Sequence, residues 1–414
     1  MGIVHELNEV HMKNDERKAL PINHLRIENF RCLKDVSLDL EPLTVLVGPN
    51  GSGKTSILRG LECLGVVVPN YPQPHPVFGQ SNNGNIISST FRGRGGMVRM
   101  FLRGQLDGTE FEYGIGFPPE RVWAVDERLE TSRLLFERQQ DKSGTVTSTS
   151  SGKRQSWDNN ASILNNQTRF NLRFNAHANT PAELVASLPF LDSMAGLFEG
   201  MTDYRLQPSS LLTEHSHNEQ HPWNPGRSMT DAGIGLSEEL AGLLLTGRGR
   251  LDRIEQHLRD WFPDFLRLQV SGQQINIERR DHSIVEQRGI SDGFLMMLGY
   301  LVLALGRPGQ RLLLLEEPEN GVHPGLIQRV IRFLKSLAND PEDPTQILMT
   351  THSPLVLNEI EPEAIRLVER SEETGETSVR PFTSVPDLER LLEFQWPGEV
   401  WVNLRVDQPP AKEG

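Results

Sequence analysis

Cysteine is nearly absent from this 414-residue chain: only Cys32 and Cys63 occur. Two thiols build neither a disulfide scaffold nor a cysteine-based zinc site. Long apolar runs are missing as well. The longest nearly uncharged one, residues 294–305, is about a dozen residues, where a bilayer-crossing helix takes about 20. We therefore expect no membrane association. The opening MGIVHELNEVHMKNDERKALP has no apolar segment of the secretory kind, and Glu6 stands where a myristoylation signal carries Ser or Thr. These absences set the expectation of a cytoplasmic protein. Basic residues are outnumbered, 42 Lys and Arg against 55 Asp and Glu, for a net charge of −13. Such a surface does not attract nucleic acid as a whole, which leaves only a local basic groove for DNA. No heptads are sustained, so long coiled-coil arms are not expected. Apolar residues still make up 37% of the chain, enough for a core and against disorder throughout.

What is present divides the chain. Residues 1–20 read as a loose polar arm. Alternation at 22–27 and 36–40, then the apolar run Leu43-Thr44-Val45-Leu46-Val47, reads as strands. Apolar positions 57, 58, 61 and 64 fit one helix face, with Gly65 as its terminator and 66–96 as loop. Asp107-Gly108 marks a hairpin within 97–117. The Ser/Thr/Asn/Gln-rich stretch 139–168 reads as a mobile insertion, and 181–262 as largely helical, with Leu251, Ile254, Leu258 and Phe262 on one face. Residues 265–286 return to strand-like alternation, and 289–370 alternate helix and strand. The expected segments are thus the arm (1–20), an N-terminal half of an α/β head with a β subdomain (21–120), a helical insertion or lid (121–262), the C-terminal half of the head (263–405) and a tail (406–414).

Residues 48–55 read Gly48-Pro49-Asn50-Gly51-Ser52-Gly53-Lys54-Thr55, a full G-x-x-x-x-G-K-[ST] phosphate loop between a buried strand and an amphipathic helix. Gly51 and Gly53 let the backbone curl with its N–H groups inward, and the helix N-terminus, from Asn50 through Ser52 to Ser56, adds positive potential. Lys54 reaches the β- and γ-phosphates of ATP, and the Thr55 hydroxyl ligates Mg²⁺. Farther on, Leu312-Leu313-Leu314-Leu315 runs into Glu316-Glu317-Pro318-Glu319-Asn320. Apolar residues ending in paired acids make a Walker B strand, whose carboxylates emerge at the C-terminal edge of a parallel sheet. We expect Glu316 to hold Mg²⁺, directly or through water, and Glu317 to act as the general base. His352 ends another strand-like run, 346–351, 35 residues past Glu317, which leaves room for one helix and a turn. It is expected beside the γ-phosphate. Gly289-Ile290-Ser291-Asp292-Gly293-Phe294 precedes a helix apolar all round, capped by Ser291 or Asp292. This second anion site, carried by Ser291 and Gly293, is best explained by the nucleotide of a second subunit: two copies sandwich two ATP molecules.

In this order, the phosphate loop, the S-D-G turn, LLLLEEPENGVHP and TTHSP resemble the P-loop ABC-type ATPase heads of the SMC/RecF class. More narrowly they resemble the bacterial predicted AAA-type ATPases grouped with the overcoming-lysogenization-defect (OLD) family. Ile27-Glu28-Asn29-Phe30-Arg31, Phe91-Arg92-Gly93-Arg94-Gly95-Gly96, the run 261–265 and the run 397–401 carry the narrower likeness. The resemblance implies that Ser291 and Gly293 act in trans, that Glu317 is the catalytic carboxylate and that His352 is the switch histidine. Glu316 stands in place of the usual Asp, and the turn is not the full transporter signature. No switch glutamine is evident beyond Gln80. Arg31 is either a nucleotide contact or an ordinary surface arginine. OLD-family nucleases add a Toprim domain of roughly a hundred residues, whereas 44 residues follow Arg370, short of a typical domain.

Weaker features are read conservatively. Asp387, Glu389 and Glu393 fit a solvated helix face. His215, His217 and His221 lack an evident fourth ligand. Arg92, Arg94, Arg99 and Arg103 fit a solvated strand or internal ion pairs better than a nucleic-acid stripe. The leading expectation is an ATP-hydrolysing homodimeric switch that regulates a separate effector; the resemblance implies defence against phage as its setting, with a nuclease or toxin as the effector. The alternative is a RecF-like DNA-maintenance ATPase binding DNA. An ABC transporter subunit is disfavoured because the S-D-G turn lies 237 residues beyond Lys54.

Overall fold

The computed structural model describes residues 20–70, 90–93, 95–118, 126–139, 144–149, 152, 154–157, 162–164, 185–213, 229–271, 274–306, 311–341 and 344–406. In chain order the strands are β1 (His24–Phe30), β2 (Leu33–Asp39), β3 (Leu43–Val47), β4 (Val98–Leu106), β5 (Thr109–Phe117), β6 (Asp126–Thr131), β7 (Leu134–Arg138), β8 (Gly144–Ser148), β9 (Arg154–Trp157), β10 (Asp203–Tyr204), β11 (Phe265–Ser271), β12 (Gln274–Arg279), β13 (Ile284–Val285), β14 (Leu312–Glu316), β15 (Gln346–Thr351), β16 (Ile365–Arg370) and β17 (Thr377–Pro381). The main helices are α1 (Lys54–Asn70), α2 (Leu188–Glu199), α3 (Leu236–Thr246), α4 (Arg248–Trp261), α5 (Asp292–Leu305), α6 (Pro324–Ala338) and α7 (Pro397–Val406). Two compact units result, each built from three stretches: Met1–Glu41, Arg59–Glu199 and Glu369–Val379; and Pro42–Leu58, Gly200–Val368 and Arg380–Gly414.

The first unit is organised on an eight-stranded antiparallel sheet in the order β2-β1-β4-β5-β6-β7-β8-β9. Period-2 burial runs through it, as in β6 and β8, because alternate side chains face opposite sides. The β4–β5 turn has Asp107 and Gly108 both at positive φ (49° and 77°), matching the right-handed twist of a hairpin. Helix α2 packs Phe190 against Phe111 and Phe198 edge-on against Tyr113. Buried Glu127 accepts from Tyr113 Oη (2.9 Å) and Ser162 Oγ (2.6 Å) and pairs with Arg138 at 3.3 Å. Burial pushes the Tyr113 phenol well above its usual range, helped by the neighbouring Glu127 charge.

The second unit carries a six-stranded sheet, β10-β14-β15-β3-β16-β17, in which β10, β14, β15, β3 and β16 run parallel. β3, β14 and β15 are buried along their whole length, as strands covered on both faces must be. Helix α6 buries Ile327, Val330, Ile331, Leu334 and Leu337 on one face, and α4 buries Leu251, Ile254 and Leu258. Helix α5 is buried from Phe294 to Leu305, so the all-apolar segment is a core helix. A small antiparallel sheet, β11-β12-β13, occupies 265–285 as expected. Among the described residues no helix is long and apolar enough to cross a membrane.

Three expectations about elements are corrected. Helix α1 does not stop at Gly65; it runs to Asn70 with Pro69 in its last turn, because Val66, Val67 and Val68 are buried and keep its apolar face going. The stretch 126–157 forms β6 to β9, where helix and a mobile insertion were expected. Thr145, Val146 and Thr147 are β-branched and alternate in burial, which suits an outer strand of polar composition. Ser162, Ile163 and Leu164 lie buried in the same supposed insertion. Gln80, Arg94, His215, His217 and His221 fall outside the described residues, as does the arm up to residue 19.

Candidate functional site

The phosphate loop joins β3 to α1. Gly51 and Gly53 both adopt positive φ (73° and 117°), the conformation their lack of Cβ permits. Gly48 is required for a different reason: a Cβ there would lie 2.0 Å from the Val368 carbonyl oxygen. Asn50 and Gly51 are exposed, Ser52 and Gly53 are buried, and Thr55 and Ser56 are partly exposed at the start of the helix. Lys54 is 5% exposed and folds back over the loop, donating to the carbonyls of Gly48 and Pro49, each at 2.9 Å.

The parallel register sets β14 beside β15, and β15 beside β3, so three strand ends converge. Thr55 Oγ1 donates to Glu316 Oε1 at 2.6 Å. This joins the loop to the buried carboxylate that ends β14. Glu317 follows with a left-handed backbone (φ 48°), its N–H donating to Thr350 O at 3.1 Å. A non-glycine residue held this way costs roughly 1–3 kcal/mol, a strain that persists where the surroundings over-determine it. The turn aims the carboxylate at His352: Glu317 Oε1 lies 2.8 Å from His352 Nε2. Glu317 Oε2 accepts from Asn320 Nδ2 at 2.6 Å. The structure thus brings together Thr55, Glu316, Glu317 and His352. The oxygen-rich pair of Thr55 and Glu316 is the hard donor set that Mg²⁺ prefers.

Ser291 and Gly293 are engaged elsewhere. Ser291 is the N-cap of α5, its Oγ accepting from Phe294 N at 3.4 Å, and is exposed together with Asp292. A Cβ at Gly293 would lie 3.4 Å from Leu326 Cδ1, an ordinary contact distance. Helix α5 is nonetheless tied to the acidic turn, since Tyr300 Oη donates to Pro318 O at 3.1 Å. Burial, with the Glu319 charge, holds that phenol above its usual range.

Three further participants escaped the sequence reading. Glu319 Oε1 accepts from Thr351 Oγ1 (2.6 Å) and from His352 N (3.0 Å), so it fixes the backbone that carries the histidine. Burial raises the Glu319 carboxyl above its usual value despite these hydrogen bonds. Asn320 steadies Glu317. Both lie in the run already singled out, where only the first two acids received roles. Arg205, just past β10, reaches Glu316 and Glu317; a two-residue strand offers no periodicity to find it by.

Other candidates have other partners or surroundings. Arg99 pairs with Glu28 and Arg103 with Glu112, the internal ion pairs favoured over a nucleic-acid stripe. Arg31 lies over the Phe30 ring. Asn29 accepts from Phe91 N and donates to the carbonyls of Gly95 and Met97, so two of the resembling motifs clasp one another. Cys32 and Cys63 are not joined in a disulfide, and burial pushes Cys63 up to about 12. Asp387, Glu389 and Glu393 are exposed, and the described residues contain no cluster fit for a metal among His, Cys, Asp and Glu.

The topology and the loop define a P-loop ATPase-head fold. A solved SMC head, in a crystal structure with the C-winged helix domain of ScpA, superposes with a TM-score of 0.51 at 10% identity, covering 87% of this chain and 97% of that one. A family model described as "AAA domain, putative AbiEii toxin, Type IV TA system" matches residues 43–358, more than half of the chain, and the chain belongs to that family. Among curated relatives, an OLD nuclease of Thermus scotoductus is 54% identical over 43 residues, 10% of this chain and 8% of that protein. The DNA replication and repair protein RecF of Vibrio campbellii is 31% identical over 112 residues, 27% of this chain and 28% of that protein. The matched segments span less than a third of either relative.

Proposed function

We propose that this chain binds Mg²⁺ and ATP at residues 50–56 and hydrolyses the nucleotide, as a switch that two copies form together. The observation that carries this reading is the junction of Thr55 with Glu316 (2.6 Å) and of Glu317 with His352 (2.8 Å) at converging strand ends. Lys54 exchanges the Gly48 and Pro49 carbonyls for phosphate oxygens, a charge-assisted contact that outweighs a neutral one. The backbone N–H groups of Asn50 through Ser56, including the turns at Gly51 and Gly53, cradle the phosphates. Thr55 and Glu316 hold the metal, which when bound neutralises phosphate charge. Glu317 takes the proton of the attacking water. His352, held by Glu319, orients that carboxylate and faces the terminal phosphate. Ser291, exposed, and Gly293, partly exposed, at the start of a core helix, serve the nucleotide of the second copy.

The output is the opening and closing of the pair, passed to a separate effector. The family description names a putative toxin and the OLD relative is a nuclease; we infer a toxin or nuclease as the effector, in anti-phage defence. The RecF likeness keeps DNA as the alternative ligand. The net charge of −13 and the internal pairing of Arg99 and Arg103 weigh against it. Nucleotide binding and phosphate release, measured on wild type, Lys54→Ala and Glu317→Gln, test the site. The reading requires binding lost in the first variant, and binding kept with turnover lost in the second. Normal turnover in Glu317→Gln removes Glu317 as base.

A further inference from the structure

Among the described residues, Arg205 reaches the carboxylate pair from outside every motif. Its place is set by the sheet. Tyr204 pairs in register with Leu315, so Arg205 stands level with Glu316. Its own N–H donates to Asp231 O at 2.9 Å, and the Gln207 N–H donates to Ala232 O at 3.0 Å, which pins the backbone on both sides. The side chain is not pinned. It is 53% exposed, with Nη1 4.0 Å from Glu316 Oε1 and Nη2 3.7 Å from Glu317 Oε2. These are ion-pair separations, longer than the 2.7–2.9 Å of a charge-assisted hydrogen bond. Among the described residues the guanidinium makes no hydrogen bond.

A guanidinium with its donors uncommitted, set between two carboxylates, is matched to an anion that approaches those carboxylates. Glu316 Oε1 already meets the Thr55 hydroxyl, so the terminal phosphate of a nucleotide held by Lys54 and Thr55 arrives at this point. Two carboxylates repel that phosphate, and a planar fork of N–H groups offsets the repulsion and binds oxygens in pairs. A diphosphate ends one phosphate short and presents nothing there.

We propose that Arg205 is a γ-phosphate sensor, contacting the third phosphate directly and discriminating the triphosphate from the diphosphate. The proposal rests on the ATP-site reading above. The test is equilibrium binding of Mg²⁺ with ADP, and of Mg²⁺ with a nonhydrolysable β,γ-imido ATP analogue, to wild type, Arg205→Ala and Arg205→Lys. In Arg205→Ala, affinity for the analogue falls about tenfold or more while affinity for ADP changes less than about twofold, the scale of one charged hydrogen bond. Arg205→Lys, which keeps the charge and loses the fork, falls between. An unchanged analogue-to-ADP ratio in both variants overturns the proposal, as does an equal loss for both ligands, which would give Arg205 a role in holding the loop. If Arg205→Ala does not fold, Arg205→Lys alone decides by the same ratio. Wild-type protein that binds neither nucleotide would fail the ATP site itself, a result distinct from an unchanged ratio.

Discussion

In the proposed function, Glu317 concentrates the chemistry at the scale of one residue. Its left-handed backbone, its contact with His352 and its bond from Asn320 all aim one carboxylate. A residue strained in this way makes a sharp prediction. Glu317→Gly should raise the stability midpoint, by up to about 1 kcal/mol, while abolishing turnover, because glycine adopts this conformation without strain. Glu317→Gln keeps the strain and should leave stability near wild type. Glu319 yields a pH prediction. Its folded carboxyl lies above the ordinary 4.5, so the folded state holds the proton more tightly than the unfolded one. The resulting stability is fully present below pH 4.5 and is lost as pH rises through the folded value. Glu319→Gln removes that ionisation, so denaturant midpoints above pH 4.5 should fall less with pH than in wild type. Parallel pH profiles for the two would contradict it.

Elements decide how far such residues can be read from a sequence. The placement of the loop, of Glu316 and Glu317 and of His352 at strand ends was legible because each is a short motif on a strand whose unbroken apolar run announces burial on both faces. Register then does the rest: parallel pairing of β14, β15 and β3 brings their ends together. Strands β8 and β9 were hidden because their polar composition imitates a loop, and α1 was read too short because Gly65 and Pro69 look like stops. Arg205 and Glu319 were hidden for a different reason, since their roles exist only through neighbours far away in sequence. Two element-scale predictions follow from close contacts. Gly48→Ala drives a methyl into the Val368 carbonyl and should destabilise by ~3 kcal/mol, the upper end of overpacking, read from the urea midpoint. Tyr300→Phe removes the bond from α5 to Pro318, beside Glu317. It should cost about 1 kcal/mol and slow turnover more than it weakens ATP binding.

At the scale of the whole molecule, the constellation assembled within the chain omits Gly293 and Ser291, whose hydroxyl caps its own helix at Phe294 N. A buried helix with an exposed serine cap suits a second copy's nucleotide. Ser291→Arg should therefore block hydrolysis and spare ATP binding, and mixing it with Lys54→Ala should restore one composite site per pair. DNA affinity of Glu317→Gln with ATP separates the two functional readings: a RecF-like protein binds duplex with a steep salt dependence, whereas a switch for a protein effector does not. The most direct measurement is the solution mass of Glu317→Gln with and without Mg²⁺ and ATP. We predict a monomer that doubles in mass only with ATP and stays monomeric when Ser291→Arg is added. A mass that ATP leaves unchanged, in protein shown to bind ATP, would contradict the shared site.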